Sequence, residues 1–263
     1  MSASATGAAG GAPDPIAAVF DHINDHVVYV GPGGMFALSG HIVMSWIVGA
    51  LVLGLFLRLA RRMAARRGAP PASVLDNLFE SFIVFIRDEV VLANMGHHGE
   101  PHVPFLLTTF FFVLFANLLG LVPGGQASTG NWAVTGALAV SVFAYGTFHG
   151  MKAQGPIAYL KNLAPGGVPA PVLVILYPIE VVGLLIKHAV LSVRLFANMV
   201  AGHLVIGILL ALPKMLGIGA VAVPAFALAV GIMFLELFVA FLQAYVFIML
   251  ASLFLGAAVH PEH

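Results

Sequence analysis

From Val103 to Met151 the chain carries no Asp, Glu, Lys or Arg. A water-soluble domain has about 25% charged residues, because its surface must face solvent. The deficit extends over the whole chain of 263 residues, which is 8% charged and 60% hydrophobic, with a mean hydropathy of +1.03. That balance excludes a water-soluble protein, a nucleic-acid binder and a disordered chain. The eleven Lys and Arg equal the eleven Asp and Glu, so no net field steers an anionic partner. The absence of cysteine rules out disulfides, thiolate metal sites and cysteine nucleophiles. The expectation is an all-α polytopic membrane protein whose function resides in its few polar residues.

Residues 1–15 are Ala, Gly, Ser and Pro with one acid. They lack the basic region and apolar core of a secretory signal peptide. Residues 1–40 are read as a flexible tail and a short polar segment. Asp21, His22, Asp25 and His26 in it are a solvated stretch rather than a metal site.

A spanning helix needs about 20 mostly apolar residues. The first runs over 41–60 and ends in Arg58, Arg61, Arg62, Arg66 and Arg67. The positive-inside rule puts this end in the cytoplasm or matrix and the N-terminus outside. Residues 73–95 contain Asp76, Glu80, Arg87, Asp88 and Glu89, too many charges for the bilayer centre. Leu75, Leu78, Phe79, Phe82, Ile83 and Ile86 recur at helical spacing, which predicts an amphipathic helix along the inner surface. A helix buried against partner subunits is the alternative. Pro123, Gly124, Gly125 and Gly130 divide 104–151 into two further spans with an uncharged outer loop. Lys152 and Lys161 mark the next loop as inner.

The last third, 170–259, is unusual. No proline interrupts the chain between Pro178 and Pro213. A continuous helix from Ile179 to Leu212 would be about 50 Å long against a hydrocarbon core of about 30 Å. Val221 to Val259 poses the same problem, so a hairpin of two long, steeply tilted helices is expected, with Lys214 as an exception to the charge rule outside. Ionisable groups at membrane depth are functional candidates by default. The first long helix carries Glu180, Lys187, His188, Arg194, Asn198 and His203; the second carries Glu236 and Gln243. Glu180, Lys187 and Arg194 are seven apart, and Asn198 follows Arg194 by four, so they share nearly one face. Glu236 and Gln243 are also seven apart. In an antiparallel hairpin His203 and Glu236 fall toward the turn, with Arg194 and Gln243 deeper. Arg194 is a permanent cation with no acid of its own chain at its level, which implies a carboxylate partner on another chain.

The segment Leu191–Val205, LSVRLFANMVAGHLV, and the segment Phe234–Leu255, FLELFVAFLQAYVFIMLASLFL, resemble subunit a of the rotary F-type ATP synthases. Phe115–Gly124, FANLLGLVPG, resembles that family's third-helix motif, and similarity extends from Ser39 to the C-terminus. The resemblance implies a non-catalytic, proton-conducting stator subunit in a bacterial inner membrane, with the mitochondrial inner membrane as alternative. It implies a c-ring and peripheral-stalk b-type subunits as partners, with no cofactor, metal or nucleic acid. Arg194 matches the family's essential arginine, and Gln243 its neighbour on the second helix. His203 and Glu236 match a polar pair in the outer half-channel, in the order found in mitochondrial-type members. Asn198 and Asn117 match polar positions lining the path; Glu180 matches an acid toward the inner exit, with Lys187 and His188 nearby.

Three other readings fit the residues less well. A proton- or cation-coupled secondary transporter would show paired internal repeats, and none is visible. An intramembrane metalloprotease needs an H-E-x-x-H helix, which is absent from the sequence. A membrane-anchored scaffold would not require Arg194. His97, His98 and His102 are read as a polar loop cap before a metal site.

Overall fold

A computed structural model describes residues 27–30, 37–66, 73–122, 127–163 and 170–259. The expectations for the N-terminal tail, for Asp21, His22, Asp25 and His26, and for Arg67 lie outside these residues. The described chain is an α-helical bundle preceded by one small hairpin, in which β1 (Val27–Val30) pairs antiparallel with β2 (Ala37–Ser39). That hairpin departs from an all-helical reading, and its strands lie ahead of the apolar part.

Helix α1 (Gly40–Arg66) leads into α2 (Val74–Phe85), which continues through a π-helical stretch (Ile86–Leu92), an α turn (Ala93–Met95) and a 3-10 stretch (Gly96–His102) into α3 (Val103–Gly120). A 3-10 turn (Ser128–Gly130) precedes α4 (Trp132–Gln154), and the short α5 (Pro156–Lys161) follows it. Two long helices close the chain, α6 (Ala170–Leu216) and α7 (Ala222–Val259). Gly217, at φ +65°, makes the turn between them in a backbone region that other residues rarely adopt. Among the described residues, four helical stretches are long and apolar enough to cross a membrane: Gly40–Ala65, Val74–Gly120, Pro171–Leu216 and Gly219–Val259. This is the all-α polytopic membrane architecture expected, although the expected span ending at Met151, here α4, is not among the four.

The 47 residues of α6 would extend about 70 Å at 1.5 Å per residue, more than twice the hydrocarbon thickness. The helix runs through Pro178, where a start after the proline was expected. One missing N–H is tolerated when the rest of the helix continues its own ladder.

The core forms where α3 packs against α1, α7 and the π stretch. Helix α3 is apolar all round, the pattern of a fully enclosed helix. Phe111 is its hub, 1% exposed, with ring contacts to Phe56 at 5.6 Å, Phe79 at 5.9 Å and Phe115 at 5.9 Å. Such aromatic pairs contribute about 0.5–1.5 kcal/mol each beyond area burial. Phe79, Phe82 and Ile83 of α2 face this core, whereas Leu75 and Leu78 are exposed. Asp76 is buried at the start of α2 and accepts from Arg62 at 2.7 Å, which ties α2 back to the end of α1.

The other end of α2 is held differently. The Val90 carbonyl in the π stretch accepts both the Asn94 side-chain amide at 2.8 Å and the buried Ser252 hydroxyl of α7 at 3.2 Å. Helix α4 starts on Asn131, whose Oδ1 accepts from the Ala133 N–H at 2.8 Å. A cap of this kind stabilises a helix by about 1 kcal/mol. At its far end Gln154 donates to the Ala258 carbonyl at 2.7 Å, and Gly150 leaves room for the Tyr159 ring and that same carbonyl.

Gly150→Val should therefore push α5 and the end of α7 away from α4. Overpacking of this kind costs about 1–3 kcal/mol. The thermal unfolding midpoint of the purified protein should fall, while Gly146→Ala, which meets only one side-chain carbon at 4.0 Å, should leave it near the parent value.

Candidate functional site

The two long helices bring together the polar residues that the sequence placed on them, at three levels. Nearest the turn, the Glu236 side chain lies directly on Gly202, so that a Cβ at position 202 would overlap Glu236 Oε1. Only glycine lets the two backbones approach with a carboxylate between them. The other oxygen, Oε2, is buried with no hydrogen-bond partner. His203 is within electrostatic range of this carboxylate but makes no hydrogen bond to it. Its Nδ1 lies 3.0 Å from the Met199 carbonyl and its Nε2 lies 2.9 Å from the Gly120 carbonyl. A carbonyl only accepts, so both contacts are hydrogen bonds at once only when the ring is doubly protonated.

Arg194 occupies the middle level. At 100° per residue, Glu180, Lys187, Arg194, Asn198 and Ala201 fall within about 60° of one another, a quarter-turn from the buried seam of His188, Leu191, Leu195 and Met199. Arg194 is exposed, and among the described residues it has no ion pair and no hydrogen bond. Apolar residues surround it: Ile186, Val190 and Val193 on its own helix are all exposed. Two contacts set the hairpin register, Gly202 on Glu236 and the His188 ring 5.1 Å from Phe254. Between them Arg194 stands level with the turn of α7 that begins at Gln243. Gln243 is buried, and its Nε2 has no partner. The two do not hydrogen-bond to each other. Arg194 is left exposed and the Gln243 amide nitrogen buried, each without a hydrogen-bond partner among the described residues. Asn198, half-buried, also makes no hydrogen bond among the described residues.

Asn117 is 2% exposed and acts as a clamp. Its amide donates to the Ala240 carbonyl of α7 at 3.4 Å, and its Oδ1 accepts from Thr129 Oγ1 at 2.9 Å. Ala240 lies one turn from Glu236, so the clamp fixes the level of that carboxylate.

Farther from the turn, His188 is buried and bonds through Nδ1 to the Leu184 carbonyl at 2.9 Å, between the rings of Phe143 and Phe254. Lys187 is exposed and Glu180 half-buried, both on the Arg194 stripe, and neither is ion-paired among the described residues. Outside this site, His102 contacts the Tyr145 hydroxyl at 3.1 Å and packs edge-on to His149 at 4.9 Å, while His97 and His98 are exposed.

Several buried polar groups carried no signal in the sequence. Thr135 is fully buried and accepts from the Ser192 hydroxyl at 3.2 Å, two residues from Arg194. His41 binds the Ala127 carbonyl at 2.8 Å. Serines, threonines and a single histidine at a helix start are too common for spacing alone to have marked them.

Residues 42–256 match the model of the family described as ATP synthase A chain. An ATP synthase subunit a of Myxococcus xanthus is 43% identical over 228 residues, 86% of this chain and 74% of the relative. That of Anaeromyxobacter dehalogenans is 44% identical over 222 residues, 82% of this chain and 56% of the relative. An ATP synthase subunit a 2 of Chlorobium luteolum is 43% identical over 232 residues, 86% of this chain and 66% of the relative.

Gly202→Ala should displace the Glu236 carboxyl from its seat. Labelling of Glu236 by a hydrophobic carbodiimide, followed by mass spectrometry, should rise several-fold over the parent; an unchanged rate would show that the carboxyl does not rest on Gly202.

Proposed function

The chain belongs to the ATP synthase A chain family, and from that membership we propose that it is the proton-translocating stator of the membrane sector, coupling proton flow to rotation of a ring of small subunits. The observation that carries this reading is Arg194, exposed in the middle of the long hairpin with no ion pair among the described residues, at the level of a Gln243 whose Nε2 has no partner. A guanidinium stays charged under all ordinary conditions. In hydrocarbon such a charge needs a counter-ion, and the ring's mid-membrane carboxylates supply it in turn.

The mechanism follows from electrostatics. A proton arriving on the side of the hairpin turn passes Glu236 and His203 and neutralises a ring carboxylate, which can then face lipid. After most of a revolution the carboxylate comes round to Arg194. Coulomb attraction favours its ionised form there, so the proton leaves toward the stripe of Lys187 and Glu180 and the opposite aqueous phase. Arg194 also keeps the two half-channels apart, because a proton approaching a fixed cation in low dielectric is strongly repelled. Each charge crossing 100 mV supplies about 2.3 kcal/mol, so several must cross for each ATP made.

The arginine-rich end of α1 is taken as cytoplasmic, which puts the N-terminus and the hairpin turn outside and the C-terminus inside. The protein itself is non-catalytic; ATP is made on other subunits, and a peripheral stalk of b-type subunits restrains this one. A bacterial inner membrane is the favoured location. A secondary transporter is disfavoured by the family membership and by the different polar sets on α6 and α7.

Arg194→Ala, in the assembled synthase reconstituted into liposomes, should abolish ATP synthesis driven by an imposed proton gradient; retained synthesis would remove Arg194 from its role. Glu236→Gln and His203→Ala should each slow proton uptake from the outer side, measured by a pH-sensitive dye. Unchanged flux in both would take the pair out of the path.

A further inference from the structure

Away from the hairpin, one cluster of titratable side chains has no part in the mechanism above. His102, at the head of α3, meets Tyr145 and His149 of α4 at the end of the bundle that carries Lys152. His102 and Tyr145 are 43 residues apart in the chain, so tertiary packing makes this meeting. Each histidine is held through one nitrogen. His149 Nδ1 lies 3.0 Å from the Tyr145 carbonyl, one turn back on its own helix. A carbonyl only accepts, so Nδ1 carries the proton and, in the neutral ring, Nε2 carries the lone pair. His102 Nδ1 lies 3.1 Å from the Tyr145 hydroxyl. When Nδ1 donates to that oxygen, Nε2 of this ring also presents a lone pair. Among the described residues neither Nε2 has a hydrogen-bond partner.

Histidines that hold a metal show this pattern. One nitrogen binds the ion, and the other N–H donates to an oxygen that fixes the tautomer and the ring orientation. The spacing agrees with it. Two imidazoles bound at about 2.0–2.1 Å to one tetrahedral zinc ion place their ring centroids about 5 Å apart. The centroids of His102 and His149 are 4.9 Å apart, with the rings perpendicular. Aromatic rings brace the pair. Tyr145 stacks on Phe105 at 3.8 Å and nearly parallel, and Phe148 stands edge-on to His149 at 5.3 Å. His102 is buried and His149 half-buried, so the pair is not sealed within the bundle. Glu100, in the segment before His102, is already paired with Arg87 at 3.3 Å.

We propose that His102 and His149 form a zinc(II) site that ties α3 to α4, with Tyr145 as the residue that orients His102. Imidazole nitrogen suits zinc and copper, whereas calcium and magnesium take oxygen ligands. Among the described residues no group of three or more histidines and acids gathers to hold a metal, so water completes the coordination at this pair. Two protein ligands make a reversible site, one that fills and empties with the zinc concentration. A bound ion fastens the head of α3 to the last turns of α4. The inference stands apart from the stator reading, since it uses none of the residues placed along the proton path.

Zinc chloride added to the full chain purified in detergent should raise its thermal unfolding midpoint by several degrees, because an ion that binds only the folded state stabilises it. His102→Phe and His149→Phe should each abolish that rise. His97→Ala, at an exposed histidine of the same 3-10 stretch, should keep it. No rise in the parent, or a rise that survives both phenylalanine variants, would overturn the proposal. Copper(II) at one equivalent reads the ligands directly. Its electron spin resonance spectrum should show two coordinated nitrogens in the parent and fewer in His149→Phe; identical spectra would overturn the proposal. Should both phenylalanine variants fail to fold, Tyr145→Phe keeps the ring and removes only the hydroxyl. It should weaken zinc binding by about ten- to hundredfold, the usual effect of losing a hydrogen bond that orients a metal ligand. Parental affinity in that variant would overturn the proposal.

Discussion

A fixed positive charge on an apolar surface is the constraint to which the rest of this molecule is fitted. Arg194 has no ion pair among the described residues, and Ile186, Val190 and Val193 near it on α6 are exposed aliphatics. Such a charge is tolerable only where a counter-charge arrives from outside. The neighbouring features can be understood as keeping that position open. The buried seam of Leu191, Leu195 and Met199 anchors α6 from the other side, so the arginine cannot rotate inward. Gln243 is held at the same level by a helix that α3 clamps through Asn117. Glu236 is seated on a glycine, one polar layer away, where it does not neutralise the arginine.

Much of this was legible in the chain, because charge in an apolar sequence is sparse. Over-long helices followed from the length of apolar sequence in the last third, although α6 runs on through Pro178 and Pro213, and the Glu180–Lys187–Arg194–Asn198 stripe followed from steps of seven and four. Family membership was foreshadowed by the motifs around Arg194 and Gln243. What could not be read were distances between elements remote in sequence. Asn117 reaches Ala240 across 123 residues, and Ser252 reaches Val90 across 162. No periodicity encodes such meetings. His203 and Glu236 share a level without a hydrogen bond between them, and so do Arg194 and Gln243. Helical phase gives the level of a side chain but not the carbonyl it will find, and His203 finds two.

Polar residues in this structure fall into two physical kinds. Asn117, Thr135 and Ser192 are bonded to protein, and they hold helices in register. Among the described residues, Arg194, Asn198, Glu236 Oε2 and Gln243 Nε2 have no hydrogen bond, and all lie on the two long helices. The first kind makes the second possible, because unpaired polar groups persist only where the surrounding packing prevents collapse onto them.

The π-helical stretch between α2 and the 3-10 segment has a consequence for how the molecule is cabled to its surroundings. A wider turn accommodates an additional residue and so rotates everything beyond it about the helix axis. Asp76 on one side of that wide turn is tethered to α1, and Val90 within it is tethered to α7. The stretch therefore links the first helix to the last. A load on α7 would reach α2 and α1 through Ser252 and Val90 as well as passing to α6 at the Gly217 turn.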